Sequence, residues 1–310
     1  MPSKFRSVLN LLRIRQYYKN GLIFVGIFFS ERLFDVSLYF GLLVGFILLC
    51  CSSSFNYIIN DIRDIEHDKI HLEKIKKKPL ASGDISKISA ILLLIFLLLV
   101  MIFSILYLIP NLLFALMLIA IIITGQLYNL VFKFYSFIDI LILSTGYLWR
   151  ALAGCALINE YVSAWLFLAI FEVAMFLSIA KRKGDLNYLG KEKAIEHKKV
   201  YDQYSLKLLD QFHIIIATSL FMTYALYLIL KFNLLEPETV NLYEYIAIFS
   251  IPISLYIIMR YMYLTSSKPE IARKTEKAFF DKGILIAGFC MILILFWSFY
   301  FDILITIFSG

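Results

Sequence analysis

Charge is sparse in this sequence. Asp, Glu, Lys and Arg make up 17% of its 310 residues, against 61% apolar side chains. A water-soluble domain carries about a quarter charged residues, so the solvent for most of this chain is lipid, in keeping with a mean hydropathy of +0.81. Cysteine is equally scarce. The four present, Cys50, Cys51, Cys155 and Cys290, lie in apolar stretches without CxxC spacing, which argues against disulfides and metal ligation and leaves them as small apolar side chains. The chain also lacks a low-complexity tract and a separate soluble domain. Residues 1–310 therefore read as one polytopic transmembrane domain, and the net charge of +7 has no soluble basic module to offer nucleic acid. The basic N-terminus has no small-residue cleavage site of the signal-peptide kind.

Apolar runs are what the sequence has most of. A helix needs about 20 apolar residues to cross a bilayer. Nine stretches are candidates, at 20–34, 36–59, 88–109, 111–129, 136–157, 161–180, 210–231, 243–264 and 283–306, the first cut short by Glu31 and Arg32. The expected fold class is an all-α membrane protein of nine transmembrane helices. Of the 30 basic residues, 26 fall before the first span, in 60–87, at Lys133, in 181–209 and in 264–282. Those segments share one side of the membrane, and the opposite loops hold Arg32 and Lys231. The cytoplasmic bias of Lys and Arg then places the N-terminus and the loops 60–87 and 181–209 in the cytoplasm of a bacterial-type plasma membrane, with Ser309 and Gly310 outside.

The second span runs into Asn60-Asp61-Ile62-Arg63-Asp64-Ile65-Glu66-His67-Asp68. At about 100° per residue, Asp61, Asp64 and Asp68 fall within an arc of about 60°, with Asn60 at its edge and Glu66 and Arg63 elsewhere. Three converging carboxylates repel one another unless a cation neutralises them, and hard oxygen ligands of this kind suit Mg²⁺, which shares its sphere with substrate phosphates. The plainer alternative is a solvated helix end whose acids offset nearby lysines. The polar run Ser52-Ser53-Ser54 and Asn56, inside the membrane, speaks for a site. Beyond it, Lys74 to Lys78 supply the cations that leftover phosphate charge needs, although a lysine run beside a membrane is also a common topology signal.

Asn60-Asp61-x-x-Asp64-x-x-x-Asp68, followed by Lys78-Pro79-Leu80-Ala81-Ser82-Gly83, resembles the signature of the UbiA prenyltransferase superfamily, with Lys78 for the usual Arg. The resemblance implies a nine-helix intramembrane enzyme that uses Mg²⁺, held by Asp61, Asp64 and Asp68, to ionise a diphosphate substrate. In aromatic prenyltransferases of that superfamily the second cytoplasmic loop carries a further aspartate pair. Here it reads Lys181-Arg182-Lys183-Gly184-Asp185-Leu186, with one acid and three cations, which suits substrates rich in phosphate. Arg15-Gln16-Tyr17-Tyr18-Lys19-Asn20, Tyr128-Asn129-Leu130-Val131-Phe132-Lys133, Gly146 to Gly154 and Lys181-Arg182-x-x-Asp185-Leu186 resemble elements of the decaprenyl-phosphate phosphoribosyltransferase branch, as do His71 and Lys74, with Leu72 for the expected Pro. That resemblance implies transfer of 5-phosphoribose from phosphoribosyl pyrophosphate to a polyprenyl phosphate, releasing pyrophosphate. Asn60 joins the catalytic set, and Lys19, Asn56, Lys74, Lys78, Tyr128, Lys133, Arg150, Lys181, Arg182 and Asp185 are the substrate-binding candidates. The competing readings are prenyl transfer to an aromatic or quinone-precursor acceptor, and transport. Arg150, alone on an apolar span, is either a phosphate clamp or an ion pair with Glu172. An oligomer is compatible with all of these.

Overall fold

The computed structural model describes residues 4–69, 75, 78–161, 163–236, 240–268, 271 and 275–309, and among them every regular element is helical. Among the described residues eight helices are long and apolar enough to cross a membrane: Val36–Arg63, Lys87–Tyr107, Leu112–Leu130, Ile138–Ile158, Ala164–Leu189, Leu206–Lys231, Leu242–Ser267 and Lys282–Phe308. Their starts are set locally. Ser86, Asn111 and Ser205 accept the backbone N–H groups of Ser89, Phe114 and Leu208, so the first turns are capped where the apolar runs begin. Leu92, Phe96, Leu99 and Phe103, three to four residues apart on one helix, all stay exposed. A stripe of that kind faces lipid, and the protein is an integral membrane protein.

Contacts group the chain into two compact units, Met1–Val131 with Thr145–Val162, and Phe132–Ser144 with Ser163–Gly310. The Ile138–Ile158 helix contributes to both.

In the first unit the expected span at 20–34 is not a long α-helix, which corrects the count of nine helices among the described residues. Ile14–Phe24 is a 3-10 helix and Val25–Phe29 a single α-helical stretch. The segment nonetheless runs antiparallel along Tyr39–Arg63. Arg13 meets Asp61, Tyr17 meets Ser54, Asn20 meets Cys50, and Leu33 meets Tyr39. At about 2 Å per 3-10 residue and 1.5 Å per α residue it extends about 30 Å, the thickness of the hydrocarbon core. Close packing explains why a thin segment serves here. A Cβ on Gly154 would lie 1.9 Å from the Ile23 carbonyl oxygen, and one on Gly26 would lie 2.6 Å from Cys155 Sγ. Around this contact Ile23, Ile27, Leu42, Leu49, Phe114 and Ala153 form the buried core.

The second unit packs Phe176 and Ala180 against Ala217, Leu220, Ile258 and Leu264. A smaller cluster of Ile140, Ile179, Leu186, Val200, Tyr201, Tyr204 and Leu209 fastens the connection between Ala164–Leu189 and Leu206–Lys231 onto the helices. Lys191 completes that fastening by donating to the carbonyls of Tyr201, Asp202 and Tyr204 at 2.7, 2.5 and 2.6 Å.

Candidate active site

The carboxylates of the first unit lie where helical spacing puts them. Tyr39–Arg63 continues almost unbroken into Ile65–Lys69, since Asp64 and Asp68 donate their backbone N–H groups to the carbonyls of Asn60 and Asp64. Asp61 and Asp68 are buried, Asp64 and Asn60 are half-buried, and Glu66, whose side chain is 85% exposed, points away. Two internal cations meet the buried pair. Lys78 Nζ bridges Asp61 Oδ1, at 3.0 Å, and Asp68 Oδ2, and Arg13 reaches Asp61 Oδ1 at 2.7 Å. Lys78 can do this because Pro79 begins the short Pro79–Ser82 helix directly after it, and Gly83 ends that helix with a φ of +80° that favours glycine. Arg13 lies 4.4 Å from the centre of the Tyr57 ring, and Tyr57 donates to Gln16 at 2.6 Å.

Among the described residues no three His, Cys, Asp or Glu side chains form a ready metal group. The donor set still fits a hard divalent cation. Two buried carboxylates already converge on one positive charge, the Lys78 ammonium, and a third lies a helical turn from each.

Among the described residues Arg150 has no acid beside it. Its Nε donates to Asn20 Oδ1 at 2.7 Å, one Nη to the Gly146 carbonyl and the other to Ser53 Oγ at 3.3 Å. In the second unit Glu172 accepts from Ser219. Asn56 ties two helices together, donating to the Ile121 carbonyl at 3.0 Å and accepting from Gln126 at 2.7 Å.

In the second unit Arg182, buried, reaches Asp139 Oδ2 with two of its nitrogens, Nε at 2.9 Å and Nη2 at 2.8 Å. Tyr204 donates to Asp139 Oδ1 at 2.7 Å and Tyr201 to Asp185 Oδ2 at 2.6 Å. Burial pushes both phenols above their ordinary range, so they remain hydroxyl donors. Lys183 pairs with Asp210 at 2.5 Å. Lys198 is held well below its usual range, first by the Arg182 guanidinium and then by loss of water and by Lys181, despite Asp185 and Asp139. Three basic side chains, Lys181, Arg182 and Lys198, thus gather around Asp139 and Asp185, and an anion bound among them would favour the protonated form of Lys198.

Of the other sequence candidates, Lys19 and Lys133 are half-buried beside the rings of Tyr18 and Phe134, and Tyr128 is half-buried. Lys74, with His71, lies outside the described residues. Sequence reasoning missed Arg13, Asp139, Lys198, Tyr201 and Tyr204. Asp139 carried a faint signal, a lone acid at the start of an apolar run, but its partner stands 43 residues away. Arg13 adopts a φ of 54°, rare outside glycine, that no sequence rule anticipates.

Comparison with known proteins follows this geometry. The model of the UbiA prenyltransferase family matches residues 21–283. The decaprenyl-phosphate phosphoribosyltransferase of Mycolicibacterium smegmatis is 28% identical over 228 residues, covering 71% of this chain and 70% of that protein. A protein of the same name from Mycobacterium tuberculosis is 26% identical over 231 residues, covering 71% and 73%. A UbiA homologue from Archaeoglobus fulgidus, solved with DMAPP and Mg²⁺, superposes with a TM-score of 0.64 at 16% identity, over 94% of this chain and 97% of that one. A digeranylgeranylglyceryl phosphate synthase gives 0.65 at 20% identity, over 96% and 98%. At those identities the structural likeness is one of fold.

Proposed function

This chain belongs to the UbiA prenyltransferase family and is a transferase, and from that premise we propose that it moves 5-phosphoribose from phosphoribosyl pyrophosphate to a polyprenyl phosphate, releasing pyrophosphate. The observation that carries the choice of substrate is the gathering of three basic side chains, Lys181, Arg182 and Lys198, around Asp139 and Asp185 in the second unit. The names of the curated relatives support the same reading.

The residues divide the work by chemistry. Asp61, Asp64 and Asp68, with Asn60 beside them, would hold the divalent cation, Mg²⁺, and neutralisation of the leaving pyrophosphate is what that ion would supply when bound. Lys78 and Arg13 then turn from the carboxylates to the pyrophosphate oxygens, which offer charge-assisted hydrogen bonds of similar kind. Lys19, Lys74, Lys133, Tyr128, Arg150, Lys181 and Lys198 serve the remaining phosphate groups. Arg182, Asp185 and Asn56 contribute by keeping those groups in place. No general base is needed, because the acceptor phosphate is already anionic.

Purified protein given Mg²⁺, phosphoribosyl pyrophosphate and polyprenyl phosphate should release pyrophosphate, and should not transfer a prenyl group to 4-hydroxybenzoate. Prenylation of the aromatic acceptor with indifference to phosphoribosyl pyrophosphate would assign the protein to the alternative branch.

The reading also places the carboxylate end of the first unit in the cytoplasm of a bacterial-type plasma membrane, on the bias of basic residues. In a Cys290→Ser background, Tyr161→Cys should react with an impermeant thiol reagent applied outside intact cells. Lys193→Cys should react only after lysis. Equal labelling of the two in intact cells would overturn this orientation.

A further inference from the structure

We propose that Arg150, Asn20 and Ser53 form a phosphate site at membrane depth that takes the headgroup of the lipid substrate. The assignment of that headgroup rests on the function proposed above; the existence of an anion site rests on the geometry alone.

Arg13, Arg32, Arg182 and Arg260 each meet an aspartate. Arg150 meets only neutral groups among the described residues: the Asn20 amide, the Ser53 hydroxyl, the Gly146 carbonyl and, 5.9 Å from its centre, the Tyr147 ring. Three of its five N–H groups are spoken for, which leaves one on each terminal nitrogen. Those two are the fork that grips a pair of phosphate oxygens. The partners themselves are fixed. Asn20, 1% exposed, accepts from both Arg150 and Ser53 through one oxygen and donates to Cys50 Sγ at 3.2 Å. Its amide cannot turn to offer Arg150 anything but that oxygen without breaking all three bonds.

Position selects the ligand. Arg150 lies about 18 Å from the Ile138 end of its helix and about 12 Å from the Ile158 end, and Ser53 lies about 12 Å before Asp61 at the rise of an α-helix. A full positive charge at that depth is costly without an anion. A phosphate bound there belongs to a molecule whose remainder is hydrocarbon. The soluble sugar diphosphate is met instead at the helix end that carries the aspartates and Lys78.

The test is binding of farnesyl phosphate, against farnesol as the headgroup-free reference, to full-length protein in detergent with EDTA present. This binding needs neither Mg²⁺ nor phosphoribosyl pyrophosphate, so it stands or falls apart from the transfer reaction. Wild type should prefer the phosphate over the alcohol, and Arg150→Gln should weaken the phosphate about tenfold to a hundredfold with farnesol unchanged. Asn20→Asp guards against misfolding as the cause. It supplies the carboxylate that Arg150 lacks, so it should weaken farnesyl phosphate to a similar degree without lowering the unfolding temperature. Phosphoribosyl pyrophosphate, measured with Mg²⁺, should bind both variants within about threefold of wild type. Unchanged farnesyl phosphate affinity in either variant would overturn the proposal. So would a loss confined to phosphoribosyl pyrophosphate, which would give the site to the 5-phosphate of the sugar.

Discussion

If the proposed transfer is right, Asp61→Asn and Asp68→Asn should each lower turnover by about a hundredfold or more, read as pyrophosphate release from phosphoribosyl pyrophosphate under saturating Mg²⁺. Asparagine keeps the size of the side chain and removes its charge, so the loss is one of cation binding and not of packing. Asp64→Asn should follow the same course, because Asp64 stands three residues from Asp61 and four from Asp68 along one helical face. Glu66→Gln is the internal control. Its side chain is 85% exposed and pairs with Lys69 at 2.9 Å, and an exposed pair of that kind contributes little. If Glu66→Gln were as damaging as the aspartate changes, the helical-face argument would fail. A second outcome would be equally telling. Lys78→Gln should tighten Mg²⁺ binding in the absence of substrate, because Lys78 holds the position between Asp61 and Asp68 that the metal requires.

The second large effect is on stability, and it separates Arg182 from its neighbour Lys181. Asp139→Asn or Arg182→Ala leaves one member of a buried ion pair without its partner, which costs about 3–5 kcal/mol. The thermal unfolding midpoint in detergent should fall by on the order of 10 °C. Lys181→Ala, at an exposed position on the same helix, should leave the midpoint unchanged and raise the apparent KM for phosphoribosyl pyrophosphate or lipid phosphate about tenfold. Tyr204→Phe should fall between the two in stability, since it removes a single neutral donor from Asp139. Equal midpoints for Asp139→Asn and wild type would mean that the pair is not held together in the folded protein.

These two sets of variants also mark the division between what sequence and structure supply. Composition alone made this a membrane protein, because 61% apolar side chains cannot be enclosed by a 17% charged surface. Helical periodicity alone put Asp61 and Asp68 on one buried face and Glu66 on the other, because both depend only on residues within two turns of each other. The UbiA resemblance was legible for a related reason, since its motifs are contiguous. Contacts between distant segments were not legible. The first span was expected as one long α-helix, and the chain is instead 3-10 up to Phe24 and α-helical over Val25–Phe29, in close contact with Gly154 and Cys155. Arg182 was expected to face phosphate, and Asp139, 43 residues earlier, claims its guanidinium. Arg150 was expected to face either phosphate or Glu172, and only the folded chain shows Asn20 and Ser53 against it, with neither able to neutralise its charge. Sequence determines which charges exist and on which face of a helix each lies. Tertiary structure decides which of them are neutralised, because that depends on segments brought together from far along the chain.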